Sequence, residues 1–213
     1  MKDFFKKIRS VKTDSKIKIL YVLLILMLGI SLGILSKWLD NLSIDSSVWW
    51  MNLIDRLDLR NFFSDMSIWL LIALTLSIYS KTPLRASLNV FIFFLGMTIS
   101  YHLYTILFSG FNPKEYMMLW YGLTIISPLI AYICWYSKSD NKYSIIISSL
   151  VLFIMTESCF NTGLLYFDFK GILYTLVFIA SCIVIYKKSS YLLLSIIIGL
   201  TLSIFLRVPL ISG

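Results

Sequence analysis

Three ionisable side chains stand inside long apolar runs of this chain. His102, the only histidine, lies in FIFFLGMTISYHLYTILF, from Phe91 to Phe108. Glu157 lies in Tyr143–Phe160, and Arg207 in Tyr191–Leu210. An imidazole and a carboxylate can pass a proton between them, and a guanidinium can hold an anion. Counted from the inner ends of their runs they come about 13, 14 and 16 residues along, or roughly 20–24 Å at 1.5 Å per residue. That is one height, in the outer third of a bilayer. A lone charge at bilayer depth costs about 2.5–3.5 kcal/mol, and less near the interface. Three such groups at one depth therefore read as facing inward and satisfying one another. Tyr101, Tyr104 and Trp120 fall near the same level, with Tyr121 and Tyr166, and would line the same cavity. Each residue also has a plainer reading. His102 can be a packed, hydrogen-bonded core residue, Glu157 can reach headgroup water, Arg207 can snorkel, and the aromatics can be the interfacial belt.

Catalytic and metal motifs are missing from the sequence. One histidine excludes HExxH and any multi-histidine metal centre. No GxSxG, no glycine-rich phosphate loop and no paired carboxylates within one run occur. Cys134, Cys159 and Cys182 have no CxxC spacing and read as buried thiols. No cofactor and no metal is expected, and enzymatic activity has little support beyond a possible His102–Glu157 acid–base pair.

The elements that must position these residues are helices in lipid. Of the 213 residues, 59% are hydrophobic and 14% charged, against about 25% charged in soluble domains. Apolar runs of about 17–22 residues match a hydrocarbon core of roughly 30 Å. Backbone polar groups in lipid must pair internally, so the runs are helical, and the lack of alternating polarity excludes a barrel. The spans are read as Ile17–Leu35, Ser67–Tyr79, Val90–Phe108, Tyr116–Trp135, Tyr143–Phe160, Leu164–Tyr186 and Tyr191–Leu210. The sixth has a charged start at Asp168 and Lys170, and its membrane part is placed from Gly171. The first run is too long for a signal-peptide core and is read as retained. The fold class is thus all-α: a polytopic membrane protein of about seven spans forming one domain over residues 1–213.

Gly29 and Gly33 form a small-xxx-small pair that Ser36 extends, a face for close helix approach. The connection 41–66 carries a short amphipathic helix, 47–60, with Trp49, Leu53 and Leu57 repeating every four residues. It is read as an interfacial anchor or, through Trp49, Trp50 and Asp55, as a lid over a cavity. Pro128 is expected to kink the fourth span.

The net charge of +8 is explained by topology and not by nucleic acid. With the N-terminus in the cytoplasm, the basic segment 1–16, Lys18 just after it, and the turns bearing Lys81, Arg85, Lys138, Lys142, Lys187 and Lys188 all fall inside. Thirteen of nineteen basic residues then face inward, the positive-inside bias of an inner-membrane protein. Eight of eleven acids fall outside, either as solvated loops or as an attractor for cations. On this topology the C-terminus is extracytoplasmic.

No motif identifies a family. The compact, basic, multi-span outline is similar to the substrate-binding membrane subunits of vitamin-uptake systems, from whose six-span pattern a seventh span and an outer C-terminus depart. The preferred expectation is a bacterial-type protein that binds or transports a small solute near His102, Glu157 and Arg207. The alternatives are an intramembrane enzyme on a lipid-like substrate, or a non-catalytic subunit that docks other membrane or cytoplasmic proteins.

Overall fold

A computed structural model describes residues 19–45, 47–139 and 141–206. The described chain is helical apart from one hairpin. It runs α1 (Ile19–Asp40), α2 (Trp49–Arg56), α3 (Leu59–Ser64), α4 (Met66–Ile78), α5 (Pro83–Tyr104), α6 (Lys114–Cys134), α7 (Tyr143–Cys159), β1 (Phe160–Gly163), β2 (Tyr166–Phe169), α8 (Ile172–Ile185) and α9 (Ser189–Phe205). Three helical segments, 19–40, 83–109 and 114–138, are long and apolar enough to cross a membrane. Four shorter apolar helices, α4, α7, α8 and α9, accompany them. The apolar helices mark a membrane protein of the helical class.

The helices form two groups joined through α4. One is α1 on α5 and α5 on α6; the other is α9 on α7, with α8 beside them. The first contact is set by glycine. A Cβ built on Gly29 would collide with the carbonyl oxygen of Phe93, and one on Gly33 with that of Met97. From the other side, a Cβ on Gly96 would sit 2.8 Å from the carbonyl of Leu26. Ser100 uses the closeness: its hydroxyl donates across the crossing to Ile30 O at 3.1 Å.

Helix ends are capped by short polar side chains. The Asp65 carboxylate accepts from the Met66 amide at the start of α4, and Thr82 accepts from the Arg85 amide at 3.2 Å with Pro83 in the first turn of α5. Beyond Tyr104 the chain widens into a π turn, Thr105–Ser109, and stops at Gly110 with φ 72°. Pro128 lacks the amide that would bond Thr124 O. The Ser127 hydroxyl donates to that carbonyl instead, at 2.8 Å.

Several boundaries differ from the sequence reading: the helix of the first span runs past Leu35 to Asp40, and that of the third begins at Pro83, ahead of Val90. The amphipathic helix expected over 47–60 ends at Arg56, and a separate helix, α3, begins at Leu59. Asp58 between them is left-handed, φ 49°, so the repeat that Trp49, Leu53 and Leu57 suggested does not continue. The sixth span does not begin at Leu164. Residues 160–169 pair as an antiparallel hairpin, Phe160 with Phe169 and Gly163 with Tyr166. Its aromatic side chains Phe160, Phe167 and Phe169 cluster at centroid distances of 5.1–5.6 Å. Aromatic enrichment favours a pleated surface over a helix start.

The α1–α5 crossing makes a direct expectation. Gly29→Leu should lower the thermal unfolding midpoint in detergent, at a cost of about 1–3 kcal/mol or more. Gly122→Ala, where an added methyl meets nothing within 4 Å, should not lower it. Equal midpoints for the two variants would remove the close crossing.

Candidate functional site: an apolar chamber beneath a small polar vestibule

Four helices that meet imperfectly leave a chamber of about 200 Å³. Its wall comes from α4 (Trp69, Leu70, Ala73, Ser77), α5 (Val90, Phe94), α6 (Trp120, Leu123, Ile130, Cys134) and α7 (Val151, Met155). The wall is almost all carbon. Its two hydroxyls are already used: Ser77 donates to Ala131 O at 2.7 Å, and Ser127 to Thr124 O. A void with no polar partners to offer stays dry and takes up apolar molecules. The sparse contact is between α6 and α7. There Ile130 both lines the chamber and is 47% exposed on the outer face of the bundle. The chamber therefore adjoins the bilayer at this seam.

A second, smaller void of about 20 Å³ lies where α1 and α5 end and α4 and α6 begin. Ser36, Phe63, Ser64, Thr98, Tyr101 and Tyr116 line it. Its frame is the carbonyl of Phe63, which accepts from Ser36 Oγ at 2.9 Å and from Trp69 Nε1 at 3.1 Å. That one oxygen ties α1, α3 and α4 together. Thr98 meets Thr124 at 3.2 Å, and Tyr116 packs edge-on to Trp120. Just outside, the Lys37 ammonium pairs with Asp40 and lies over the rings of Tyr101 and Phe111, at 5.5 and 5.6 Å. Trp69 and Trp120 line both voids. Their indoles are the shared wall between the polar vestibule and the apolar chamber.

The residues singled out from the sequence distribute as follows. Tyr101 and Trp120 line the vestibule. His102 lines neither void. Its Nε2 donates to Asn112 Oδ1 at 2.9 Å, which leaves Nδ1 to accept from the Tyr121 hydroxyl, also at 2.9 Å. Both ring nitrogens thus tie the end of α5 to α6 and to the turn before it. Glu157 is buried in the last turn of α7, where Thr162 of β1 donates to Oε1 at 2.8 Å. Thr162 also lies 3.1 Å from Ser203 O of α9, so the carboxylate sits at a junction of α7, the hairpin and α9. His102 belongs to the α1–α5–α6 group and Glu157 to the α7–α9 group. Arg207 lies outside the described residues. Tyr104 stacks on Phe108 at 4.6 Å, in a shallow groove on the α1–α5 lipid face. Trp49, Trp50 and Asp55 belong to α2, which has no buried residue; Trp49 is 78% exposed, and Asp55 stands 4.0 Å from Arg60. The covering element is α3 instead, through Phe63 and Ser64. Among the described residues no group of three metal-ligating side chains occurs.

Trp69, Phe63 and Ser64 are the wall residues that sequence reasoning missed. The one available signal was a tryptophan placed a turn inside the fourth helix, close behind its Asp65 cap.

The His102–Tyr121 contact can be measured. In a double-mutant cycle of His102→Ala and Tyr121→Phe, unfolding in detergent should show a coupling of about 0.5–1.5 kcal/mol. Additive effects would mean that the bond contributes nothing. Thr162→Val should cost about 1–3 kcal/mol, since it strips a donor from a buried carboxylate. A midpoint equal to wild type would show the Glu157 junction to be dispensable.

Comparison of the chain with family models, with curated proteins and with solved structures finds no match.

Proposed function

We propose that this chain is a multi-pass membrane protein that binds an apolar, lipid-like molecule in the chamber between α4, α5, α6 and α7. The observation that carries this reading is the chamber wall: about 200 Å³ lined by carbon, with its hydroxyls committed to carbonyls. An apolar cavity of about 150 Å³ is enough to hold benzene without water. The chamber suits a ring or a stretch of acyl or prenyl chain. The seam between α6 and α7 gives such a molecule a path from the bilayer that never crosses water. This keeps the expectation of a small bound molecule but changes its character from a polar solute to an apolar one.

In this reading all seven apolar helices cross the membrane, with the N-terminus in the cytoplasm and the C-terminus outside. The basic turns bearing Lys81, Arg85, Lys138, Lys142, Lys187 and Lys188 support that orientation. The vestibule then lies at the outer face. The exposed hairpin tip, with Leu165 99% exposed, rests at the outer interface.

The test uses a long-chain hydrocarbon carrying a diazirine, added to the purified protein and photolysed. Labelling is expected on chamber residues such as Leu70, Leu123 and Met155. Ala73→Phe, which fills the chamber, should reduce that labelling about tenfold or more while raising or preserving the unfolding midpoint. Labelling confined to outward residues such as Leu129, and unchanged by Ala73→Phe, would overturn the proposal.

A further inference from the structure

We infer that the vestibule is the subsite for the polar end of the chamber's ligand, and that this end is a single hydroxyl: the ligand is a long-chain or isoprenoid alcohol. The inference rests on the chamber reading and adds to it the chemistry of the ligand's head. Three observations carry it.

The first is continuity. Trp69 and Trp120 line both voids, so two indole rings are all that stands between a molecule in the chamber and the vestibule. Trp69 is held in place by its bond to Phe63 O, so the ligand's polar end would reach the vestibule by displacing the Trp120 ring.

The second is size. A space of about 20 Å³ holds one water-sized group, since a water needs about 10–15 Å³ of such volume. A phosphate or a sugar does not fit. No charged side chain lines the vestibule, and the nearest cation, Lys37, is already paired with Asp40. A charged head would therefore be buried without a counterion, which is costly.

The third is an unused hydroxyl. Ser64 Oγ lines the vestibule, is buried, and has no hydrogen-bond partner in the structure. A buried polar group without a partner is costly to keep. An alcohol meets that need from either side, donating to Ser64 Oγ or accepting from it. The neighbouring carbonyl of Phe63 is already doubly engaged, Thr98 is paired with Thr124, and the Tyr101 and Tyr116 hydroxyls bond each other. Ser64 is thus the group left to recognise the head.

The experiment is competition against the diazirine hydrocarbon by three compounds of equal chain length: an alkane, a primary alkanol and an alkyl phosphate. The alkanol should compete about fivefold more strongly than the alkane, the value of one neutral hydrogen bond. The alkyl phosphate should compete less well than the alkanol. Ser64→Ala should abolish the preference for the alkanol and leave competition by the alkane unchanged. That variant loses only an unpartnered hydroxyl, so it is expected to fold at least as well as wild type. Equal competition by alkane and alkanol would overturn this inference while the chamber reading stands. A preference that survives Ser64→Ala, or an alkyl phosphate that matches the alkanol, would also overturn it. If none of the three competes, the chamber reading itself fails.

Discussion

Hydrocarbon offers no replacement for a lost hydrogen bond, and this constraint shapes the whole bundle. Hydroxyls inside the helices turn back on their own backbone: Thr75 on Leu71 O, Thr124 on Trp120 O, Thr156 on Leu152 O. The few that reach across do so to carbonyls on a neighbour, as Ser77 does to Ala131 and Ser87 to Pro128, both at 2.7 Å. These cross-links decide where helices touch. They also decide where helices stay apart, because lipid supplies no hydrophobic force to close a gap between two apolar surfaces. The chamber persists for that reason. α6 carries Pro128 within it and is fastened to α4 through Ala131 O and to α5 through Pro128 O, while its contact with α7 stays sparse. In water such a void would be expected to collapse or to cost stability; among lipid chains it can be filled by whatever is apolar and near.

The two voids divide polar from apolar lining. The chamber lies among Leu70, Leu74, Phe94 and Met155, whereas the vestibule is rimmed by Ser36, Ser64, Thr98 and two tyrosines. A molecule with one polar end would be oriented by this division alone. His102 and Glu157 stand apart from it. Each joins elements within its own helix group, through neutral partners for the imidazole and through Thr162 for the carboxylate. The cost of placing them in a span is met locally, by hydrogen bonds to groups one helix or one turn away.

What the sequence revealed and what it hid follow from one distinction. Length and hydropathy act along the helix axis, so the apolar helices were legible. Tyr101 and Trp120 line one void at the end of α5 and the start of α6. Azimuth was not legible. His102 and Tyr101 are adjacent in sequence and about 100° apart around the helix, which is enough to send one ring to the Asn112 turn and the other to the vestibule. A depth count cannot separate them. Asp58 hid the break between α2 and α3, since an aspartate tolerates the left-handed region with no signal as clear as glycine. The hairpin was hidden by its aromatics, which hydropathy counts as membrane. Gly29 and Gly33 could be read as a close-approach face because the missing Cβ is itself the feature that matters, whatever the partner.

The unequal helix lengths complete the picture. α1, α5 and α6 are long and present many side chains to lipid, so they must match the hydrocarbon thickness. α4 has 13 residues, about 20 Å at 1.5 Å per residue, too short to bridge roughly 30 Å by itself. It packs on α5, α6, α7 and α8, so protein, and not lipid, surrounds the short crossing and meets its ends. Its ends are satisfied there: Asp65 caps the start, and the carbonyl of Ser80, just beyond the end, accepts from Trp135 Nε1 at 2.7 Å. A short central helix draws the polar ends of the bundle inward. The vestibule lies at the end of α4 that Asp65 caps, beside Trp69 in its first turn, and a polar group buried there is costly unless it is matched. Here a single unpartnered hydroxyl such as Ser64 is a selective feature, whereas at the membrane surface water would have silenced it.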